Sequence, residues 1–199
     1  MRPHPRLTFA TSTLALICWA QTVAAQQIET AFSPRGGCAA AIAKEIDAAK
    51  TSIDLAAYEF TSAQLTQKIL EARARGVAIR VILDRVQEVE PCPEPKRVRA
   101  AGLPMKTDKT EKLFHNKYLV IDGTTVITGS YNWSENAEQN NAENVVIIHD
   151  IPSANAFTAD FNKHWEHSTP FATRTPRRRV PGRPQSTSNP KPPPTTKGS

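Results

Sequence analysis

The sequence predicts an α/β fold, a mixed β-sheet flanked by helices, built as one domain and followed by a disordered C-terminal tail. Apolar, β-rich runs alternate with segments of helical periodicity, the order that right-handed crossovers produce. Near the middle, two short β-type runs surround Asp122-Gly123, a strong hairpin signal. No internal repeat divides the chain, so its 199 residues hold one copy of whatever motif they carry.

Residues 1–25 place Arg2 and Arg6 ahead of an apolar run over 7–20, then Val23-Ala24-Ala25, a small-residue cleavage pattern. This is the form of a secretory signal peptide, with cleavage expected after Ala25 and export to the periplasm or medium. Ile17 is too bulky to make Cys18 a lipoprotein acceptor. No later run is apolar enough to cross a bilayer, so a soluble exported protein is expected.

The folded domain is assigned to 26–168, long enough for a sizeable core. Residues 28–32 alternate as a strand, and 33–37 form a turn. Over 38–50, Ala41, Ile42, Ile46 and Ala49 fall on one helical face. A strand at 52–60 follows, then a helix capped by Thr61 or Ser62, with Leu65, Ile69 and Leu70 as its buried stripe and Gly76 at its end. Residues 78–84 read as a strand buried on both faces. A proline-interrupted loop at 87–95, a short helix near 98–101 and a brief strand at 104–106 lead to the hairpin of 114–134. Residues 143–149 are a further strand, and Ser153 is placed to cap a last helix carrying Phe157, Phe161 and Trp165 at helical spacing.

The positive charge is confined to one end. Residues 26–168 carry 16 Lys and Arg against 19 Asp and Glu, whereas 169–199 carry seven Lys and Arg and no acid. The latter stretch also holds eight of the sixteen prolines and almost no large apolar residue after Phe171, so disorder is expected. With Arg177, Arg178 and Arg179 as its charge focus, it suits a polyanion without implying sequence recognition.

The hairpin carries the chemistry. His115 and Lys117 share a face at the start of its first strand, as Ser130 and Asn132 do wherever extended backbone persists beyond the second. If the pairing is regular, all four meet at one rim: an ammonium, a hydroxyl and a carboxamide for a phosphate, and an imidazole for reaction. Asp122 has the wrong parity to join them and is assigned a structural role, its carboxylate accepting from turn amides.

His-x-Lys, four residues, Asp, then Gly-Ser-x-Asn resembles the signature of the phospholipase D superfamily. Over 28–168 the chain looks like its Nuc-type secreted bacterial endonucleases, through Phe32-Ser33-Pro34, the 47–53 stretch DAAKTSI, Tyr58-Glu59-Phe60-Thr61, the 115–132 stretch and Asn141-Ala142-Glu143-Asn144. The resemblance implies metal-independent phosphodiester hydrolysis. His115 would act as nucleophile through a phosphohistidine, Lys117, Ser130 and Asn132 would bind phosphate, and Glu143 would orient a histidine. Many members carry two motifs in one chain; this chain has one, so a homodimer sharing one site is expected.

No metal or other cofactor is expected. His164 and His167 lie three apart without nearby cysteines, a weak ligand signal, and are read as surface histidines. After cleavage Cys38 and Cys92 remain, in an oxidising compartment, and a disulfide between them is slightly favoured. The favoured function is nonspecific hydrolysis of DNA or RNA. Phospholipid hydrolysis and nucleic-acid binding without catalysis are the alternatives.

Overall fold

A computed structural model describes residues 27–172; residues 1–26, where a signal peptide is expected, and the stretch from 173 onward, with Arg177 to Arg179, lie outside the described residues. Fourteen elements appear in it: β1 (Gln27–Ser33), α1 (Cys38–Ala48), β2 (Ser52–Ala57), α2 (Ala63–Ala74), β3 (Ala78–Asp84), a 3-10 turn (Arg85–Glu88), α3 (Glu94–Ala100), β4 (Met105–Asp108), β5 (Lys117–Ile121), β6 (Thr125–Gly129), α4 (Glu135–Gln139), β7 (Glu143–His149), α5 (Ile151–His167) and β8 (Thr169–Pro170).

The eight strands form one sheet in the order β1-β7-β6-β5-β2-β3-β4-β8. The crossovers through α2 and α3 make β2, β3 and β4 parallel, and the remaining pairs are antiparallel. Apolar side chains fill both faces. On one, Ile42, Ile46, Leu65, Ile69 and Val98 of α1 to α3 pack on Ile53, Leu55, Val81 and Leu119. On the other, Ala154 and Phe161 of α5 cover Ala56, Ile82, Val120 and Val126. Val81 to Asp84 are buried throughout, as expected of a central parallel strand.

Most elements fall where the sequence places them, and the differences have physical causes. Ser62 caps α2, its Oγ accepting from Leu65 N at 3.2 Å. Asp150, not Ser153, caps α5: its carboxylate accepts from Ser153 N at 2.7 Å. The segment read as a loop over 87–95 holds the end of the 3-10 turn and the start of α3, where Pro95 stands in the first turn and needs no amide partner. The sheet also runs past 168. Thr169 and Pro170 pair with Thr107 and Lys106, and Phe171 is buried with its N–H on Met105 O at 3.1 Å.

The disulfide is not formed; both cysteines are free. Cys38 is buried at the start of α1 within the main core, whereas Cys92 lies beyond the 3-10 turn with its Sγ 4.0 Å from Phe60 O. Burial pushes both thiols up, which disfavours the reactive thiolate.

In the central hairpin Asp122 and Gly123 both have positive φ, 54° and 64°, and Thr124 N donates to Ile121 O at 3.1 Å. That is the turn whose twist suits two antiparallel strands, and it fixes Ile121 opposite Thr125 and Tyr118 opposite Thr128. Asp122 does bond backbone amides, but those of a distant loop. Its carboxylate accepts from Lys50 N, Thr51 N and Ser52 N at 2.8–2.9 Å and from Thr51 Oγ1 at 2.8 Å. Burial raises this carboxyl, but the amides of Ser52, Thr51 and Lys50 outweigh it and hold the group below its ordinary value.

Asp122→Ala is expected to cost about 2 kcal/mol in urea unfolding, since it strands several donors at once. Because the folded value is depressed, the wild-type contribution is present above about pH 4 and fades as the pH falls through the folded value, so the variant gap should narrow in acid.

Candidate active site

The C-terminal ends of β2 and β3, the N-terminal ends of β5 and β7 and the C-terminal end of β6 meet at one edge of the sheet. This is where open α/β sheets present ligands, because loops there leave the strands unpaired in chemistry but fixed in space. His115 stands exposed just before β5, and Lys117, its first residue, is only 9% exposed.

The two are in contact. Lys117 Nζ donates to His115 O at 2.9 Å and lies 3.2 Å from His115 Nδ1. The Tyr58 ring packs against the His115 ring with centroids 4.6 Å apart, and Lys117 Nζ lies 5.3 Å from its centroid. Burial pulls the Lys117 ammonium below its ordinary value, against the opposing fields of Glu143 and Glu59.

Beyond Gly129 the alternation persists. Tyr131 and Trp133 are buried in the core, which turns Ser130 and Asn132 to the other side. Ser130 is exposed, its Oγ accepting from Asn144 N at 3.1 Å and Asn144 Nδ2 at 3.3 Å. Asn132 Oδ1 is buried without a hydrogen-bond partner. Gly129 has φ 152°, and a Cβ there would collide with the Asn144 carbonyl oxygen, so only glycine lets β6 approach β7 at the point where Ser130 emerges. His115, Lys117, Ser130 and Asn132 thus issue from the open end of one hairpin.

Glu143 opens β7 at the same rim, but its carboxylate accepts from Asn141 Nδ2 at 3.0 Å and makes no hydrogen bond to His115 within the chain. The group facing His115 Nδ1 is Lys117. Glu143 is thus at the rim, hydrogen-bonded to Asn141 rather than to His115.

Two positioning groups were not read from the sequence. Asp84, 1% exposed, accepts from Phe114 N at 2.7 Å through one oxygen and from Val86 N at 2.8 Å through the other, which ties the segment before His115 to the end of β3. Tyr58 forms the wall behind the imidazole. A strand-terminal Asp before a polar loop is the only signal the sequence held for the first. Beside the rim, a pocket of about 470 Å³ is lined by Tyr58, Asp84, Arg85, Val86, Glu88, Val89, Lys109 and Leu113, with Val89 and Leu113 about half exposed.

His164 and His167 are not the free surface histidines expected. His164 Nδ1 and His167 Nε2 lie 2.7 and 2.8 Å from one oxygen of Asp108, whose side chain is fully buried. Asp108, at the end of β4, is 56 residues from His164 and 59 from His167 in sequence, which no local spacing reveals.

Comparison with known proteins agrees with this fold. The chain is 37% identical over 131 residues to a phospholipase D of Rickettsia conorii, a match spanning 66% of each chain and so just under two thirds of that relative's length. It is 34% identical over 122 residues to a mitochondrial cardiolipin hydrolase of Xenopus laevis, covering 61% of this chain and 58% of the relative. The solved structure of Nuc from Salmonella typhimurium, a phospholipase D family member, superposes with a TM-score of 0.71 at 28% identity, over 74% of this chain and 99% of that one. Residues 42–165 match the family described as "Cardiolipin synthase, PLD-like domain", and the chain belongs to this branch of the phospholipase D superfamily.

Proposed function

We propose that this chain is a metal-independent phosphodiesterase, a nonspecific endonuclease acting on DNA or RNA as a homodimer with one shared site. The observation that carries this reading is the rim itself, where an exposed imidazole stands on a nearly buried ammonium beside a hydroxyl and a carboxamide. The basic sequence from 169 onward supports a polyanionic substrate.

In this reading the neutral His115 of one copy attacks phosphorus, and its N–P bond forms as the bond to the leaving alcohol breaks. The charged His115 of the other copy gives that oxygen its proton. Water then attacks phosphorus and passes a proton to the same second ring, the N–P bond breaks, and both histidines return to their starting states. Lys117, Ser130 and Asn132 hold the nonbridging oxygens, where negative charge is greatest.

Geometry within one chain supports the need for a second copy. Attack through Nε2 requires the ring proton on Nδ1, yet Lys117 Nζ lies 3.2 Å from that atom and disfavours an N–H there. A carboxylate at Nδ1 reverses the preference. Glu143 of either chain can supply it once two rims face each other, and the exposed Phe32, one residue from the Ser33 that pairs with Glu143, offers apolar surface for such a contact.

A second reading, phospholipid hydrolysis, is favoured by the pocket beside Tyr58, where Val86, Val89 and Leu113 give an acyl chain somewhere to lie. The names of the curated relatives point the same way.

Purified protein is expected to nick plasmid DNA in the presence of EDTA and to lose that activity in His115→Ala. Release of headgroup from phosphatidylcholine or cardiolipin vesicles with intact plasmid would select the lipid reading instead, and activity against neither would leave binding alone. Glu143→Gln should lower kcat without changing the melting temperature, and should distort the bell-shaped pH profile of two coupled imidazoles. Wild-type turnover and profile would refute its role. Co-refolding wild-type chains with an equal amount of His115→Ala chains should cut activity per wild-type chain to about half, because half of them then sit in mixed dimers. Undiminished activity per chain would rule out a shared site.

A further inference from the structure

The end of β4, the loop after it and the last turn of α5 bring together Asp108, Glu111, His164 and His167, all four donor atoms lying within 4.8 Å of one another. We propose that these residues form a binding site for a zinc ion that braces the segment leading to His115. The proposal concerns a different part of the fold from the phosphate rim and does not depend on the reaction assigned there.

The spacing suits a tetrahedron. Zinc bonded to nitrogen and oxygen at about 2.0–2.1 Å needs donors about 3.3 Å apart. Here Asp108 Oδ2 lies 2.7 Å from His164 Nδ1 and 2.8 Å from His167 Nε2, and Glu111 Oε2 lies 3.8 Å from the first and 3.9 Å from the second. Two of these edges are about half an ångström short and two about half an ångström long, and the other two lie within 4.8 Å, so side-chain adjustment would bring the four donors around one ion. His164 and His167, three apart on a helix, share one face of its final turn.

The surroundings are built as well. Asp108 Oδ1 is fixed by Thr110 N at 2.9 Å, which leaves Oδ2 as the atom aimed at both rings. Two ring nitrogens crowding one oxygen can both be satisfied by hydrogen bonds, but a second carboxylate beside them then adds like charge; a dication answers all four donors at once. Behind His164, Nε2 faces Asp160 Oδ1 at 3.6 Å, and Asp160 Oδ2 accepts from Tyr118 OH at 3.0 Å. A carboxylate behind a ligating histidine sets the tautomer that frees the other nitrogen for metal.

A set of two imidazoles and two carboxylates favours zinc over calcium or magnesium, which prefer all-oxygen shells. Another convergence, Glu29, Glu45 and His149, differs in kind, because Lys44 already lies 3.2 and 3.5 Å from its two carboxylates. At the proposed site the consequence is mechanical. The Phe114 ring packs edge-on against His164 with centroids 5.1 Å apart, and the next residue is His115. An ion there would hold the loop of 109–116 to α5.

The test is calorimetric titration of zinc chloride into the untagged, metal-stripped full chain near pH 7.5, followed by thermal unfolding with and without the ion. One ion per chain and a raised melting temperature are expected. His167→Gln and Glu111→Gln, both at exposed positions, should each weaken zinc binding by about 10-fold or more, while His149→Gln leaves it unchanged. No saturable binding at about 100 μM zinc, or binding that neither substitution weakens, would overturn the proposal and leave the two histidines as hydrogen-bond partners of Asp108 alone.

Discussion

Lys117 sits almost out of water with no carboxylate in ion-pair contact among the described residues, and much of the rim is explained by how that charge is kept. An ammonium in such a place loses hydration that a protein must replace. The replacements here are partial: one carbonyl oxygen from His115, the face of Tyr58, and the more distant fields of Glu143 and Glu59. A group left short of counter-charge at the mouth of a strand end is poised for an anion. Phosphate would complete its shell, and on the other arm of the hairpin the Ser130 hydroxyl and the Asn132 amide nitrogen are the groups able to donate to the same anion.

The chemistry therefore rests on ordinary sheet physics. Parallel β2 and β3 end at this edge, and antiparallel β5 begins there because it runs back along β2, with Lys117 opposite Ala57. Buried apolar residues at 53, 55, 119, 121 and 127 hold those strands in register. Asp84 and Tyr58 then finish the placement of the segment around His115, one by a backbone hydrogen bond and one by a ring contact. Neither group needs to touch substrate to matter.

What the sequence disclosed was whatever depends on short-range pattern. Asp122-Gly123 between β-branched runs announced the hairpin, and parity alone grouped His115 with Lys117 and Ser130 with Asn132. What it concealed was set by contacts far along the chain. Asp122 turned out to serve a loop some seventy residues upstream, and His164 and His167 found Asp108 only because α5 crosses the sheet and ends beside β4. The expected pairing of Cys38 with Cys92 failed for the same reason, since the core claims one and the Phe60 carbonyl the other. Local alternatives were also decided by geometry: Asp150 stands immediately before the helix, whereas Ser153 lies inside its first turn and supplies the amide that Asp150 caps.

The turn of 122–124 lies at the opposite end of the hairpin from His115, Lys117, Ser130 and Asn132, yet its length governs their placement. Strand side chains alternate, so one residue added or removed there would slide β6 by a single step against β5 and exchange its two faces. Tyr131 and Trp133 would then turn outward, and Ser130 and Asn132 would be pressed into the apolar interior. Insertions and deletions, usually harmless in an exposed connection, are thus forbidden in this one for a reason that no inspection of the loop by itself would reveal.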